Sequence, residues 1–246
     1  MIDLHCHMIP WVDDGAESAR IACQMAELSL RNGVDTVVAT PHCNLQGSRP
    51  NYRGRTYTNF FSMFRALLAQ HDIPLRVLPG SEVFAHSSNL RSLLEEERIV
   101  TLNHSRYVLV EFNFQTTPEE FNSLLSMIKS YGYIPVIAHP ERYVAVQNAP
   151  GIAVQWYDKG YVIQLNKGSL LGRLGQTAFD TAWYLLSTQT AHVVASDGHD
   201  MRGRAPGFHS LLPRLRENCS PRYVSALLEE NPYKIVTDQN LSNTDF

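Results

Sequence analysis

Histidines and carboxylates recur in this sequence at the ends of short apolar runs, in a pattern typical of a metal centre. His5 and His7 are two positions apart, and in a strand this spacing turns both rings to one face, with Cys6 on the other. Asp197 and His199 repeat the spacing near the end of the chain. Imidazole and carboxylate together suit Mn, Fe or Zn. The candidate ligands are His5, His7, Asp14, His42, Glu82, Glu111, His139, Asp197 and His199.

Five histidines and four carboxylates exceed the needs of one ion and suit two or three. Three divalent cations would bring a charge of +6 against −4 from the four carboxylates among these residues. The resulting positive site would attract a dianionic phosphate ester, although the chain as a whole carries a net charge of −3. Asp13 and Asp14 alone also fit an ordinary acidic turn before Gly15.

The stretch HCNLQGSRP, which begins at His42, offers a competing chemistry. Cys43 and Arg49 have the spacing of a cysteine-dependent phosphatase, in which the thiolate attacks phosphorus and the arginine holds the phosphate oxygens. Such a phosphate loop also needs a glycine-rich turn leading into a helix. This stretch has one glycine, and Pro50 follows the arginine. We therefore interpret His42 as a metal ligand and Cys43 as incidental.

Seven β-branched runs, separated by longer amphipathic segments, would position these residues. Strands alternating with helices predict a parallel sheet buried on both faces. Seven such units predict an α/β fold of the distorted (β/α)7 TIM-like barrel type, with an open doubly wound sheet as the alternative. Six of the seven runs end at or near a candidate ligand, at the edge where such folds build their sites. The runs are 2–5, 34–40, 75–80, 106–112, 134–139, 161–166 and 192–197, and two of the helical segments are 17–33 and 117–132.

The composition of the chain bears on its number of domains, its partners and its compartment. The 246 residues, 44% of them hydrophobic, suit one domain, 1–246, and the slight negative charge gives no reason to expect nucleic acid as a partner. The sequence contains no uninterrupted apolar stretch of about 18 residues, so we predict no membrane span. The four cysteines are too sparse for a disulfide framework and favour a reducing cytoplasm. Segment 43–56 is predicted to be a loop and matches no motif.

The order of these motifs resembles the polymerase and histidinol phosphatase (PHP) superfamily, and within it the bacterial protein-tyrosine-phosphatase branch. The resemblance lies in MIDLHCHMIPWVDDG, VVATPH, GSE, LVEF, VIAHPERY, LNKGSLLG, VASDGH and NPYKIV, which span almost the whole chain. It implies a distorted seven-stranded barrel with three metal ions at its mouth. Many relatives in the superfamily have histidine where Asp14 lies, and the VDDG form agrees with the tyrosine-phosphatase branch.

The resemblance also implies a role for each candidate. His5, His7, Glu82 and Asp197 would hold the first ion. Glu82, Glu111 and His139 would hold the second, with Glu82 bridging, and Asp14, His42 and His199 would hold the third. Arg142 and Arg204 match phosphate-binding arginines, and the forked guanidinium fits phosphate oxygens. Without the resemblance, both arginines would be taken for surface charges.

The activity implied is that of a phosphoric monoester hydrolase, a metal-dependent protein-tyrosine phosphatase in which a metal-bound hydroxide attacks phosphorus. The ions would be Mn²⁺, with Fe or Zn as alternatives, and the candidate proton donors are His199 and a metal-bound water. The implied substrate is the tail of a bacterial tyrosine kinase that governs capsule or exopolysaccharide synthesis. Two alternatives are a phosphatase for histidinol phosphate or another small phosphomonoester, and a non-catalytic metal-binding module.

Overall fold

The computed structural model describes residues 1–86 and 88–241, so Ser87 and the last five residues of the predicted domain lie outside it. Within these residues short strands alternate with helices. The strands are β1 (Ile2–Cys6), β2 (Thr36–Ala39), β3 (His42–Cys43), β4 (Arg76–Pro79), β5 (Glu82–Phe84), β6 (Tyr107–Glu111), β7 (Ile134–Ala138), β8 (Val162–Asn166) and β9 (Val193–Ala195). The α-helices are α1 (Ala19–Arg31), α2 (Arg55–Gln70), α3 (Leu90–Glu95), α4 (Pro118–Ser130), α5 (Val144–Asn148), α6 (Gly151–Asp158), α7 (Lys167–Leu170), α8 (Gln176–Ser187), α9 (Leu212–Asn218), α10 (Pro221–Ser225) and α11 (Asn231–Val236).

Neighbouring strands pair in parallel and follow the order of the chain. One sheet has the order β1-β2-β4 and the other β3-β5-β6-β7-β8-β9. The predicted runs 34–40 and 75–80 form β2 and β4, and each is followed, after a two-residue break, by a further short strand beyond the predicted run, β3 or β5. Pro41 lies in the first break, because proline has no backbone N–H to donate. At the second break Gly80 packs against Val38, and a Cβ on this glycine would lie 2.6 Å from the valine side chain.

Backbone hydrogen bonds bring the first strand beside the end of the last. Asp197 N donates to His5 O, and His7 N donates to Gly198 O, each at 2.8 Å. Since strand order follows the chain without reversal and the two ends of the series meet, the fold is the predicted distorted TIM-like barrel. The doubly wound alternative was wrong. These bonds also place two predicted ligand pairs, one on each segment, side by side.

The two helical segments predicted at 17–33 and 117–132 form helices near the expected residues. Ser18 caps α1 by accepting a hydrogen bond from Ile21 N, and Thr117 caps α4 by accepting one from Glu120 N. The loop prediction for 43–56 needs a small correction at both ends. Cys43 pairs in strand β3, and α2 begins at Arg55, so the connecting loop is 44–54.

Successive side chains point to opposite faces of each strand, and so the core forms two layers. On β6, Val108 and Val110 pack in the larger cluster between strands and helices, while Tyr107 and Leu109 pack in a second cluster on the other face. Glu111 continues this second face, so the strand presents its carboxylate at the barrel mouth. No helix in the described ranges is both long and apolar enough to cross a membrane.

Candidate metal centre

The nine predicted ligands lie together where the strands end. Eight of the nine are buried, with 8% or less of each residue exposed, and only the Asp14 side chain, 62% exposed, opens to solvent. A cluster this polar is costly to bury unless its charges are compensated. The donor atoms lie in overlapping groups whose members are within 4.8 Å of one another, so the structure brings together the set that the strand ends predicted. The resemblance divides these residues into three sets, the first, second and third groups. Their role as metal ligands stays a prediction.

The first group joins the two ends of the barrel. Nε2 of His5 and Nε2 of His7 are 3.0 Å apart, so only one of the two nitrogens can carry a proton, and a cation bound by both would replace it. Glu82 Oε2 lies 3.3 Å from both of these nitrogens. Asp197 Oδ1 lies 3.4 Å from the His5 nitrogen and 3.6 Å from the His7 nitrogen. His5, His7 and Glu82 offer donor atoms within 4.8 Å of one another, and Asp197 does so with His5 and His139.

The second group shares Glu82 with the first. Oε1 of Glu82 lies 3.0 Å from His139 Nε2, and Oε1 of Glu111 lies 3.6 Å from the same nitrogen. Glu82 thus turns one carboxylate oxygen to each group. This is the geometry of a bridging carboxylate.

The third group lies at the solvent side of the mouth. Asp14 Oδ1 is 3.4 Å from His42 Nε2 and 3.3 Å from His199 Nε2. The other ring nitrogen of His42, Nδ1, faces Glu82 Oε2 at 3.0 Å. His42 therefore lies between the second and third groups, a position that its spacing in the sequence does not reveal.

The spacing of the donor atoms fits divalent metals. Donors held about 2.1 Å from one ion in tetrahedral or octahedral geometry lie about 3.0–3.5 Å from each other. The distances in the three groups cluster around this range. In addition, His42 Nδ1, Asp197 Oδ1 and His199 Nε2 are buried without a hydrogen-bond partner. Buried polar atoms are normally paired, so these atoms point to ions that they would bind.

The pKa values of the cluster also indicate that cations belong there. Burial and the neighbouring Glu82 raise the pKa of Glu111 to about 8. Burial lowers the pKa of His5, but the carboxylates of Glu82 and Asp197 outweigh it and raise that pKa to about 9. Without metal, the carboxylates thus favour a proton on His5, whereas burial lowers the pKa of His139 to about 4. Metal binding would displace the proton from His5, so metal affinity should rise with pH.

Two predicted phosphate-binding arginines flank Asp197. Arg204 donates a hydrogen bond from its guanidinium to Asp197 Oδ2, and a guanidinium nitrogen of Arg142 lies 3.9 Å from the same oxygen. Arg142 also stacks its guanidinium over the ring of Phe114, 4.5 Å from the centroid. Both arginines remain partly exposed, at 23% and 33% of the side chain, so they can reach a ligand at the mouth. Arg202, two residues from Arg204, is exposed.

Three polar side chains that the sequence analysis did not assign hold the candidate ligands in place. His7 Nδ1 donates to Asp13 Oδ2 at 2.7 Å, and His5 Nδ1 donates to Gln164 Oε1 at 2.9 Å. Each bond leaves Nε2 of the histidine unprotonated and facing its group. Asn166 Nδ2 donates to Asp197 Oδ2 at 2.6 Å. The sequence did contain a signal for Gln164 and Asn166, because amide side chains two positions apart on an otherwise apolar strand lie on the same face.

Replacing Asp13 by asparagine is expected to weaken metal binding about tenfold without unfolding the protein, because the amide keeps the shape but lowers the basicity of His7. Titration of the metal-free variant with Mn²⁺, compared with the wild type, measures the change. Asp200→Asn is the control, because the Asp200 carboxylate accepts backbone hydrogen bonds from Arg202 and Arg204 and is not among the predicted ligands. Equal affinity of Asp13→Asn and wild type would mean that Asp13 only shapes the turn.

The cysteine alternative fails on geometry. Cys43 is fully buried in β3, and burial raises the pKa of its thiol to about 12, so the thiolate needed for attack is absent near neutral pH. Arg49 is exposed and stacks over Phe60, 5.3 Å from the ring centroid. The two residues therefore form no phosphate site.

Cys43→Ser is expected to retain at least about half of the wild-type turnover of an aryl phosphate, because the thiol takes no part in the chemistry. Since the hydroxyl would lie in an apolar layer, a small loss of thermal stability is expected, of about 1 kcal/mol. Steady-state rates and a melting curve separate the two effects. A folded Cys43→Ser protein without activity would restore the cysteine mechanism.

The chain matches known proteins over nearly its full length. The family described as capsular polysaccharide synthesis, CpsB/CapC, matches residues 1–237. The tyrosine-protein phosphatase YwqE of Bacillus subtilis is 35% identical over 210 residues, which cover 85% of this chain and 81% of the relative. The tyrosine-protein phosphatase CpsB of Streptococcus pneumoniae is 32% identical over 244 residues, which cover 97% and 99%.

A solved structure agrees with these relatives. It is described as belonging to crystal structures of YwqE from Bacillus subtilis and CpsB from Streptococcus pneumoniae, unique metal-dependent tyrosine phosphatases. It superposes with a TM-score of 0.88 at 31% identity, and the match covers 98% of this chain and 96% of the other. The likeness therefore covers almost the whole chain.

Proposed function

This chain belongs to the CpsB/CapC family of capsular polysaccharide synthesis, and we propose that it hydrolyses phosphotyrosine in proteins at the metal centre formed by its strand ends. Metal-dependent tyrosine-phosphatase activity is the activity named for its relatives over most of the chain. The observation that supports the site most directly is the placing of Glu82, which turns one oxygen to each of two donor groups. Phosphoryl transfer often uses two metals bridged in this way.

Three divalent ions fit the three donor groups, and Mn²⁺ suits their mixture of imidazole and carboxylate. Bound there, the ions would lower the pKa of a coordinated water and so supply a nucleophile near neutral pH. In the first group His5 and His7 would bind through Nε2, the atom that their hydrogen bonds to Gln164 and Asp13 leave free. In the third group His42 would bind through the Nε2 that faces Asp14.

The chain's own cations would complete the binding of the phosphate. Arg142 and Arg204 approach one face of Asp197, and both keep guanidinium N–H groups directed to the open mouth. There they would donate to the phosphoryl oxygens and stabilise the charge that moves onto them during transfer. Phe114, stacked under Arg142, would fix the orientation of this guanidinium.

His199 is better placed as a ligand than as a proton donor. Its Nδ1 donates to the Asp197 carbonyl oxygen at 3.0 Å, and its Nε2 faces Asp14. A ring that binds an ion through Nε2 and donates from Nδ1 has no proton for the leaving group. A tyrosyl phenolate, with a parent pKa of about 10, needs less acid assistance than an alkoxide.

We propose a protein rather than a small molecule as the substrate. The Asp14 side chain at the solvent side of the mouth is exposed, and the relatives that match most of the chain are named tyrosine-protein phosphatases. The tail of a bacterial tyrosine kinase that governs capsule synthesis is the substrate we propose, in line with the family description. We further propose that residues 1–246 act as one cytoplasmic domain.

Metal removal combined with two substrates tests this proposal. The protein as purified should hydrolyse a phosphotyrosine peptide, lose this activity in EDTA, and regain it with Mn²⁺. Elemental analysis should give about three metal equivalents in the active protein. Faster turnover of histidinol phosphate than of the peptide would identify a small-molecule phosphatase. A fully loaded protein that hydrolyses neither substrate would be a metal-binding module.

A further inference from the structure

A second cationic feature lies outside the metal centre, on the loop that the sequence analysis left without a role. Residues 49–56 and Arg98 line a groove of about 290 Å³. Four arginines contribute to it, and we call it the arginine groove: Arg49, Arg53, Arg55 and Arg98. This local density of positive charge is unusual in a chain whose net charge is −3.

The arginines of the groove are only partly neutralised. Arg53 pairs with Glu97 at 3.2 Å, and Arg98 pairs with Glu96 at 3.4 Å. Arg49 and Arg55 have no carboxylate partner within the described ranges. Two glutamates against four arginines leave the groove with a charge of about +2, which favours an anionic ligand.

The start of helix α2 adds to this positive charge. The helix has 16 residues, begins at Arg55, has no side-chain cap at Gly54, and carries no acidic residue in its first turn. An arginine at the positive end of the helix dipole is locally unfavourable. Such a conflict is expected at functional sites, and an anion in the arginine groove would relieve it.

The groove is held at a fixed place beside the metal centre. Asn51 is buried at the inner end of the groove, and its Nδ2 donates to His42 O at 2.8 Å and to Val12 O at 3.0 Å. On the other wall, Arg53 N donates to Arg98 O at 2.8 Å. The arginine groove is therefore tied to a metal-ligating segment and to the turn that precedes Asp14. A polypeptide that places a side chain in the metal centre would continue past the loop.

We propose that the arginine groove binds anionic side chains of the polypeptide substrate that flank the phosphotyrosine under attack. Carboxylates and a second phosphotyrosine share this chemistry, since both accept hydrogen bonds from guanidinium groups. This inference rests on the proposed function, because it assigns the groove to the same substrate. It predicts a preference for acidic or multiply phosphorylated segments, which salt weakens because the arginines are exposed.

Three synthetic phosphotyrosine peptides test the proposal: one with neutral flanks, one with acidic flanks, and one with a non-hydrolysable phosphotyrosine analogue in the flank. The variant is Arg49→Glu combined with Arg55→Glu, since neither residue takes part in an ion pair. For the wild type at low salt we expect kcat/KM to be about tenfold higher for the anionic peptides than for the neutral one. The double variant should lose this preference. The control is Arg65→Glu, which changes the charge of an exposed residue on the same helix.

The outcomes separate the groove from the catalytic proposal. An unchanged peptide preference in the double variant, or an equal loss for all three peptides, overturns the arginine groove as a binding site. A preference limited to one of the two anionic peptides identifies the source of the anion. If the metal-loaded wild type hydrolyses none of the peptides, the proposed function fails. Fluorescence anisotropy of the labelled peptides, with and without the double substitution, then tests the groove by itself.

Discussion

Replacing Glu82 by alanine is expected to remove more than one metal equivalent and to lower turnover on the order of a thousandfold. The reason is that one carboxylate serves two donor groups. Its Oε2 lies among the donors contributed by His5 and His7, and its Oε1 faces His139. Two-metal catalysis requires ions about 3.5–4 Å apart, and Glu82 offers one oxygen to each of the two groups.

A graded series makes this test specific. Glu111→Ala should lose about one equivalent, because Glu111 contacts only the second and third groups through His139 and His42. Glu82→Gln keeps the side-chain volume and one amide oxygen, so it separates lost charge from lost packing. Elemental analysis and aryl phosphate turnover are measured for each variant. Full metal content in Glu82→Ala would remove this residue from the centre.

Much of the site was predictable because the barrel gives its strand ends a common direction. His42, Glu82 and Glu111 are far apart in the chain. His42 and Glu82 closely follow the ends of β2 and β4, where they open the short strands β3 and β5, and Glu111 ends β6. Parallel strands in sequential order bring such ends to one mouth, so residue type and position in the run were enough to group them. Strand periodicity alone predicted that His5 and His7 share one face, and likewise Asp197 and His199.

The supporting residues could not be predicted in the same way. Asp13 looked like an ordinary turn residue, but its side chain is buried against His7 and accepts from His42 N at 3.0 Å. Gly15 follows so closely that a Cβ there would lie 2.0 Å from His7 O. The turn is thus folded onto the ligand. Contacts of this kind depend on loop conformation, which hydrophobic periodicity does not report.

The backbone strain at the candidate metal centre could not be predicted from the sequence either. His139 and Asp197 have positive φ angles of 35° and 51°, a region that residues other than glycine rarely adopt. The sequence offers no glycine at either position to suggest such a turn. The surrounding hydrogen bonds hold both residues there, and the result aims their side chains at the mouth rather than along the strands.

Arg204→Ala and Arg142→Ala are each expected to lower kcat/KM about ten- to hundredfold while metal content stays unchanged. A guanidinium has no lone pair to offer a metal, so its contribution is to the phosphoryl oxygens. Losing a charge-assisted hydrogen bond typically costs about 1.5–3 kcal/mol, which corresponds to this range. Arg→Lys should recover only part of the loss, because an ammonium group cannot make the forked contact.

The contact between Arg204 and Asp197 makes metal content the decisive measurement. Arg204 donates to Asp197 Oδ2, while Oδ1 of the same carboxylate faces the first donor group. In Arg204→Ala, Oδ2 keeps the hydrogen bond from Asn166, so the ligand should stay oriented and the ion bound. Arg202→Ala is the matched control, because this neighbouring side chain is exposed, and its activity should equal that of the wild type. If Arg202→Ala lost its activity while Arg204→Ala kept it, the phosphate-binding arginine would be Arg202 instead of Arg204. Metal loss in Arg204→Ala would make this arginine a support for Asp197 instead of a phosphate ligand.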